Sequence, residues 1–175
     1  MNKENLLKLS EFLMKNEVPF TMAHYRANIE SDESGEHYTT SSFTLHEIDK
    51  GVEGCGTAGC ALGWSPFVIP PSQKVKDDTY HNFGGLDLDL YAEETFGNLS
   101  SEQESSVFGY DWKFVDNSRE GAAFRLAQLA KHNIVYKPDV HDTKGYLKAR
   151  DQWVSEWERE QWLSKWGQAN DNNRS

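Results

Sequence analysis

Both cysteines of the chain fall within one decapeptide, Cys55-Gly56-Thr57-Ala58-Gly59-Cys60-Ala61-Leu62-Gly63-Trp64. If Thr57 caps a helix, its side-chain oxygen accepts from the free first-turn N–H groups. Cys60 then lies in that turn, where the helix dipole favours a thiolate. The chemistry this suggests is a thiol nucleophile of a hydrolase or transferase. Such a nucleophile needs a base, and His24, His46, His81 and His132 are available, with no local pattern to rank them. The spacing also departs from the Cys-Gly-Ser/Ala-Cys-Trp/Tyr signature of papain-like enzymes. The simpler reading, which we prefer, makes Cys60 a small buried side chain between closely packed backbones.

Two further chemistries start from the same stretch. Cys55 and Cys60 lie five positions apart, at the margin of a zinc knuckle, but no second cysteine pair exists. Two histidines from His24, His37, His46, His81, His132 and His141 would have to complete a zinc site, and nothing pairs them, so no metal or other cofactor is assigned. A Cys55–Cys60 disulfide is a further option, disfavoured in a reducing compartment. Gly56, Thr57, Ala58 and Gly59 could instead present helix-start N–H groups to a nucleotide-like anion, which the protein would sequester. The stretch lacks the Lys-Ser/Thr ending of a phosphate loop and does not match Gly-x-Gly-x-x-Gly. Close helix packing explains it more simply, with Gly59 and Gly63 four apart on one face. The pairs Asp87/Asp89 and Glu93/Glu94 read as a solvated helix face.

The tail offers binding rather than catalysis. Trp153 and Trp157 share a helix face with Tyr146, while Trp162 and Trp166 fall on the opposite side. Tryptophan is enriched at interface hot spots, so these four residues are the candidate partner-binding set. The competing reading folds the same helix back onto its own core.

Charge narrows the partner. A net charge of −10, from 28 acidic and 18 basic side chains, repels phosphates and anionic lipid, so direct nucleic-acid binding is not expected. It suits a basic partner, including a nucleic-acid-binding protein whose site would be blocked, or serves solubility alone. The chain is 37% hydrophobic with a mean hydropathy of −0.75, yet 13% aromatic, as expected of a globular core with a polar periphery. No signal peptide or apolar stretch of membrane-spanning length is evident, so we expect a cytoplasmic protein with no membrane contact. Homo-oligomerisation stays open.

The elements that must position these residues follow from periodicity. Residues 4–16 predict a helix buried through Leu6, Leu9, Phe12 and Leu13, after which Phe20 and Met22 begin an extended segment. Residues 28–42 read as polar and loop-like, with a hairpin across Gly35 and its extended element in 36–48. Pro66 and Pro70-Pro71 are expected to end the central helix early. Residues 72–85 read as a polar loop anchored by Tyr80 and Phe83. A helix follows over Leu86–Phe96, with Gly97 as its stop. Ser100 and Gln103 have capping-box spacing before a helix that presents Val107 and Phe108. Tyr110, Trp112 and Phe114 alternate as an extended aromatic lid. Ser118 starts a helix with Ala122, Leu126, Leu129 and Ala130 inward and His132-Asn133 at its end. Asp139 to Gly145 is a linker, a charged helix runs from Tyr146 to about Trp166, and the residues from Ala169 fray. The fold class is mainly α: a compact single domain of about five helices over 1–137, with a small hairpin or extended element. Residues 138–175 add a linker, a C-terminal Trp-rich amphipathic helix and a polar tail.

The decapeptide and its surroundings resemble a family of small uncharacterised phage, prophage and bacterial proteins. The matching pieces are Leu6 to Leu13, Phe20 to Met22, Cys55 to Trp64, Phe96-Gly97, Ser101 to Phe108 with Trp112, and Gly121 to Leu129. The insertion at 28–50 and the tail from 138 depart from the pattern. The resemblance implies a fold core and a phage context, with no activity attached. The expected function is a small, acidic, non-enzymatic binding protein that engages or inhibits a host protein, in a counter-defence role.

Overall fold

A computed structural model of the chain describes residues 1–16, 20, 27–32, 35–40, 57–58, 60–81, 87–138 and 143–172. The chain divides into two units, Met1–Val140 and His141–Ser175. The described part is mainly helical, as the apolar periodicity predicts.

The first unit is built on two helices, α1 (Lys3–Lys15) and the later Arg119–His132, which pack chiefly on each other. Helix α1 starts where the Asn2 side chain accepts from the Asn5 N–H, and buries Leu6, Leu9 and Leu13 completely. Each such burial contributes about 1.5–3 kcal/mol. Ser10 lies on the same buried face, and its hydroxyl donates to the Ala123 carbonyl at 2.7 Å, so the polar group is satisfied inside the core.

Strands β1 (Ala27–Asp32) and β2 (Gly35–Thr40) form an antiparallel hairpin whose register closes on Asp32 opposite Gly35. Gly35 therefore opens the second strand, which overlaps the predicted 36–48 only over residues 36–40, and the polar stretch before the glycine supplies the first strand. A two-residue strand β3 (Thr57–Ala58) pairs with the other edge of β1, in the order β2-β1-β3.

Helix α2 (Ala61–Val68) continues through Pro66, against the expectation that the proline ends it. Proline removes the N–H that would serve the Leu62 carbonyl. The Ser65 hydroxyl donates to that carbonyl instead, at 2.6 Å, and the turn survives. The predicted 72–85 loop is also corrected: α3 occupies Gln73–His81. The Ser72 oxygen accepts from the Val75 N–H and Val75 is fully buried, so one cap and one anchor fold a stretch whose polarity hides any period. Tyr80 lies within α3, and Phe83 lies outside the described residues.

Helix α4 (Leu88–Phe96) is capped by Asp87, whose carboxylate accepts from the Asp89 and Leu90 N–H groups. It stops at Gly97, where φ is +71°, a conformation that favours glycine. Helix α5 (Ser101–Phe108) has the predicted capping box, with Ser100 and Gln103 bonded reciprocally.

Residues Tyr110–Phe114 form a 3₁₀ turn rather than an extended lid. The alternation imitates a strand, but here only Trp112 enters the core, while Tyr110 and Phe114 stay 52% and 67% exposed. Helix α6 (Arg119–His132) begins at the Ser118 cap and ends at Asn133, with φ at +56°. Ala122, Leu126, Leu129 and Ala130 are all buried along it.

Among the described residues the second unit is a single helix, α7 (Thr143–Asn172), of 30 residues. It extends beyond the predicted Tyr146–Trp166 at both ends. Gly145, expected in the linker, lies inside it with open space around its backbone.

Candidate functional site

The decapeptide is placed differently from the way its residue types suggest. Thr57 and Ala58 lie in β3, paired with Asn28 and Ala27, so Thr57 is not the helix cap. The helix begins at Ala61, with Cys60 in the cap position and no side-chain cap bond. This corrects the helix-start geometry on which the anion site rested, because Thr57 and Ala58 belong to a strand and not to the first turn of a helix. Gly56 and Gly59 of that set lie outside the described residues, as does Cys55.

Cys60 is 2% exposed, and burial pushes its thiol pKa up to about 11. The backbone groups of Gly63 and Leu62 beside the sulfur draw it back only in part. At neutral pH the residue is a neutral thiol, with about one molecule in ten thousand ionised. Of the proposed bases, only the side chain of His132 is described, and it lies exposed at the end of α6. No base therefore meets the thiol among the described residues.

What surrounds Cys60 is packing. Trp64 is fully buried and its ring centroid lies 5.3 Å from that of Phe67. Tyr91 of α4 donates its hydroxyl to the Ile69 carbonyl at 2.7 Å, tying α4 to the end of α2. Burial pushes the Tyr91 phenol up to about 12, against the pull of the Ser65 and Thr95 side chains. Gly63, one of the pair assigned to close packing, is buried within α2.

A buried polar cluster escaped the sequence reading. Arg125 is fully buried in α6 with its guanidinium 3.9 Å from the Trp112 ring centroid, and its Nη1 lies 3.9 Å from Asp116 Oδ2. Asp116 Oδ1 accepts from the Ser118 N–H at 3.2 Å and from the Ser118 hydroxyl. The Trp112 indole donates to the Ser105 carbonyl at 3.1 Å. The cluster thus ties the α6 cap, the 3₁₀ turn and α5 together, and it is closed to solvent. Asp116 two residues ahead of a Ser cap is the one signal that could have found it.

On α7 Trp162 lies nine residues after Trp153, half a turn away around the helix, while the side chain of Trp166 lies outside the described residues. Trp162 is 56% exposed and its neighbour Leu163 54% exposed. Trp153 and Trp157 share the other side, and the helix stays continuous through Trp166.

One surface cavity joins residues read in the sequence as a solvated face. About 450 Å³ in volume, it is lined by Asp89, Ala92 and Glu93 of α4, Gly97, Asn98 and Leu99 of the link, and Glu104 and Phe108 of α5. Among the described residues no three His, Cys, Asp or Glu side chains come together as a metal-binding group. No described helix is long and apolar enough to cross a membrane. Comparison with family models, with curated proteins and with solved structures finds no match for this chain.

Proposed function

We propose that the chain is a small acidic binding protein that engages another protein through its C-terminal helix. The observation that carries this reading is the exposure of Trp162 and Leu163 side by side on α7. Large apolar side chains held in water on a long helix gain free energy when a partner covers them, and tryptophan is a frequent anchor of such contacts. The buried, neutral Cys60 thiol leaves the hydrolase or transferase reading without a nucleophile. The strand placement of Thr57 and Ala58 leaves the anion-binding reading without its helix start.

The resemblance to phage and prophage proteins supports a bacterial host protein as partner, inhibition in a counter-defence role as the effect, and the host cytoplasm as the place. The test is affinity capture from bacterial lysate with the full chain and with the W162A/L163A variant, read by quantitative mass spectrometry. The reading expects at least one protein to be depleted about tenfold or more from the variant, as loss of a hot-spot residue implies. An identical captured set would overturn it.

A further inference from the structure

One helix by itself makes no core, and among the described residues the second unit consists of α7 alone. We propose that α7 pairs antiparallel with α7 of a second copy of this chain, about a two-fold axis at Ser155. The proposal goes beyond the binding reading above, because Trp162 lies half a turn away from Trp153, on the side of α7 opposite this contact.

Tyr146, Arg150, Trp153, Trp157, Glu160 and Ser164 follow one another along one face of α7 at alternating steps of four and three, the seam spacing of paired helices. These steps read the same in both directions from Ser155. An antiparallel copy centred there sets Trp153 against Trp157 of the second copy and Arg150 against Glu160 of the second copy, each contact occurring twice. A parallel pair in register would instead set arginine against arginine and glutamate against glutamate, so the order of charges selects the antiparallel arrangement. Arg150 already holds Asp151 of its own helix, with Nη2 at 2.6 Å from Oδ1. A guanidinium carries five donors, enough for a second carboxylate. Val154 meets its own copy beside the axis on one edge of the seam. Glu156 does so on the other edge, a like-charged contact that keeps the dimer weak.

Surface and charge agree with this pairing. Tyr146 is buried, while Trp153, Val154 and Trp157 are half-buried and keep apolar surface for a second helix. Residues 1–140 hold 22 acidic and 12 basic side chains, whereas 141–175 holds six of each. Two copies therefore repel through their first units and meet without net repulsion through α7. Antiparallel pairing at Ser155 also holds the two Thr143 ends about 36 Å apart, several Debye lengths at physiological salt. Residues 146–164 of each copy overlap over about 28 Å of helix axis, a small interface, so the dimer is expected at micromolar concentration.

The test is sedimentation velocity of the full chain from about 1 to 300 µM near physiological salt. The expected result is a monomer at the low end and a species of twice its mass at the high end; a parent that stays monomeric throughout overturns the proposal. R150E and E160R each place like charges at both Arg150–Glu160 contacts, and each is expected to dimerise about tenfold more weakly. The double variant R150E/E160R restores opposite charges between the copies and is expected to dimerise like the parent, as is an equal mixture of the two single variants. Single variants that dimerise like the parent, or a double variant as weak as they are, would overturn the antiparallel pairing. W162A is expected to keep the parent's dimerisation, and its loss would move the contact to the opposite side of α7 and overturn the proposal as well. Capture of a partner from lysate needs no dimer, so the two readings fail separately.

Discussion

At the scale of single residues, Gly121 is the position with least freedom. A Cβ there would overlap the Asp116 carboxylate, which holds the Ser118 cap of α6 and faces Arg125. Gly121→Ala therefore has to displace a buried acid from both its hydrogen bonds and its cation, and should cost about 2–3 kcal/mol. Urea unfolding measures it, and an unchanged midpoint would show that the cluster yields. Cys60 gives a prediction of a different kind. Its folded pKa of about 11 stands above its ordinary 9.0, so the folded state keeps a proton that the unfolded chain releases. The contribution is complete below pH 9 and is lost as pH rises towards 11, by about 3 kcal/mol. Tyr91, raised to about 12 by burial, extends the loss upward in pH. The melting temperature should therefore fall between pH 9 and 11, and C60A should lose less of it over that interval. A parent melting temperature flat across this range would refute the assignment.

At the scale of elements, α2 is the informative case. A Pro at its sixth position is compatible with the helix only because Ser65 serves the carbonyl that Pro66 leaves without a donor. Ser65→Ala exposes that debt in a buried setting and should destabilise the protein by about 1–2 kcal/mol. Circular dichroism melts check it; a loss no larger than a few tenths would mean that the carbonyl finds another donor. The same element shows why sequence reading stopped short. Pro66 has a local rule against it, whereas the compensating Ser65 bond depends on a rotamer inside the core. The capping box at Ser100 and Gln103 was legible because both partners sit within four residues of chain. α3 was not, since a single buried Val75 leaves no periodic trace.

At the scale of the molecule, charge is the organising asymmetry. The helical unit carries −10 and the C-terminal helix is neutral, so the first repels itself and the second does not. Screening should then stabilise the helical unit: its melting temperature should rise by a few degrees between about 20 and 200 mM salt. A fall instead would mean that the surface ion pairs of α1 and α3 outweigh the repulsion.

The helices α1, α4, α5 and α6 were readable because cap, apolar stripe and stop signal are all local in the chain. The sign of the net charge and the amphipathic division of the tryptophans follow from composition and spacing in the same way. The role of the decapeptide did not. Two cysteines, three glycines and a threonine are compatible with a helix start, a nucleophile or a strand end. Pairing of Thr57 and Ala58 with β1, some thirty residues earlier, placed the helix start at Ala61. Burial then decided the protonation state of Cys60. The burial of Arg125 on Trp112, and the union of Asp89, Glu93 and Glu104 around one cavity, likewise needed the packing of separate helices. Contacts between residues distant in the chain leave no period to read, and those contacts are what tertiary structure supplies.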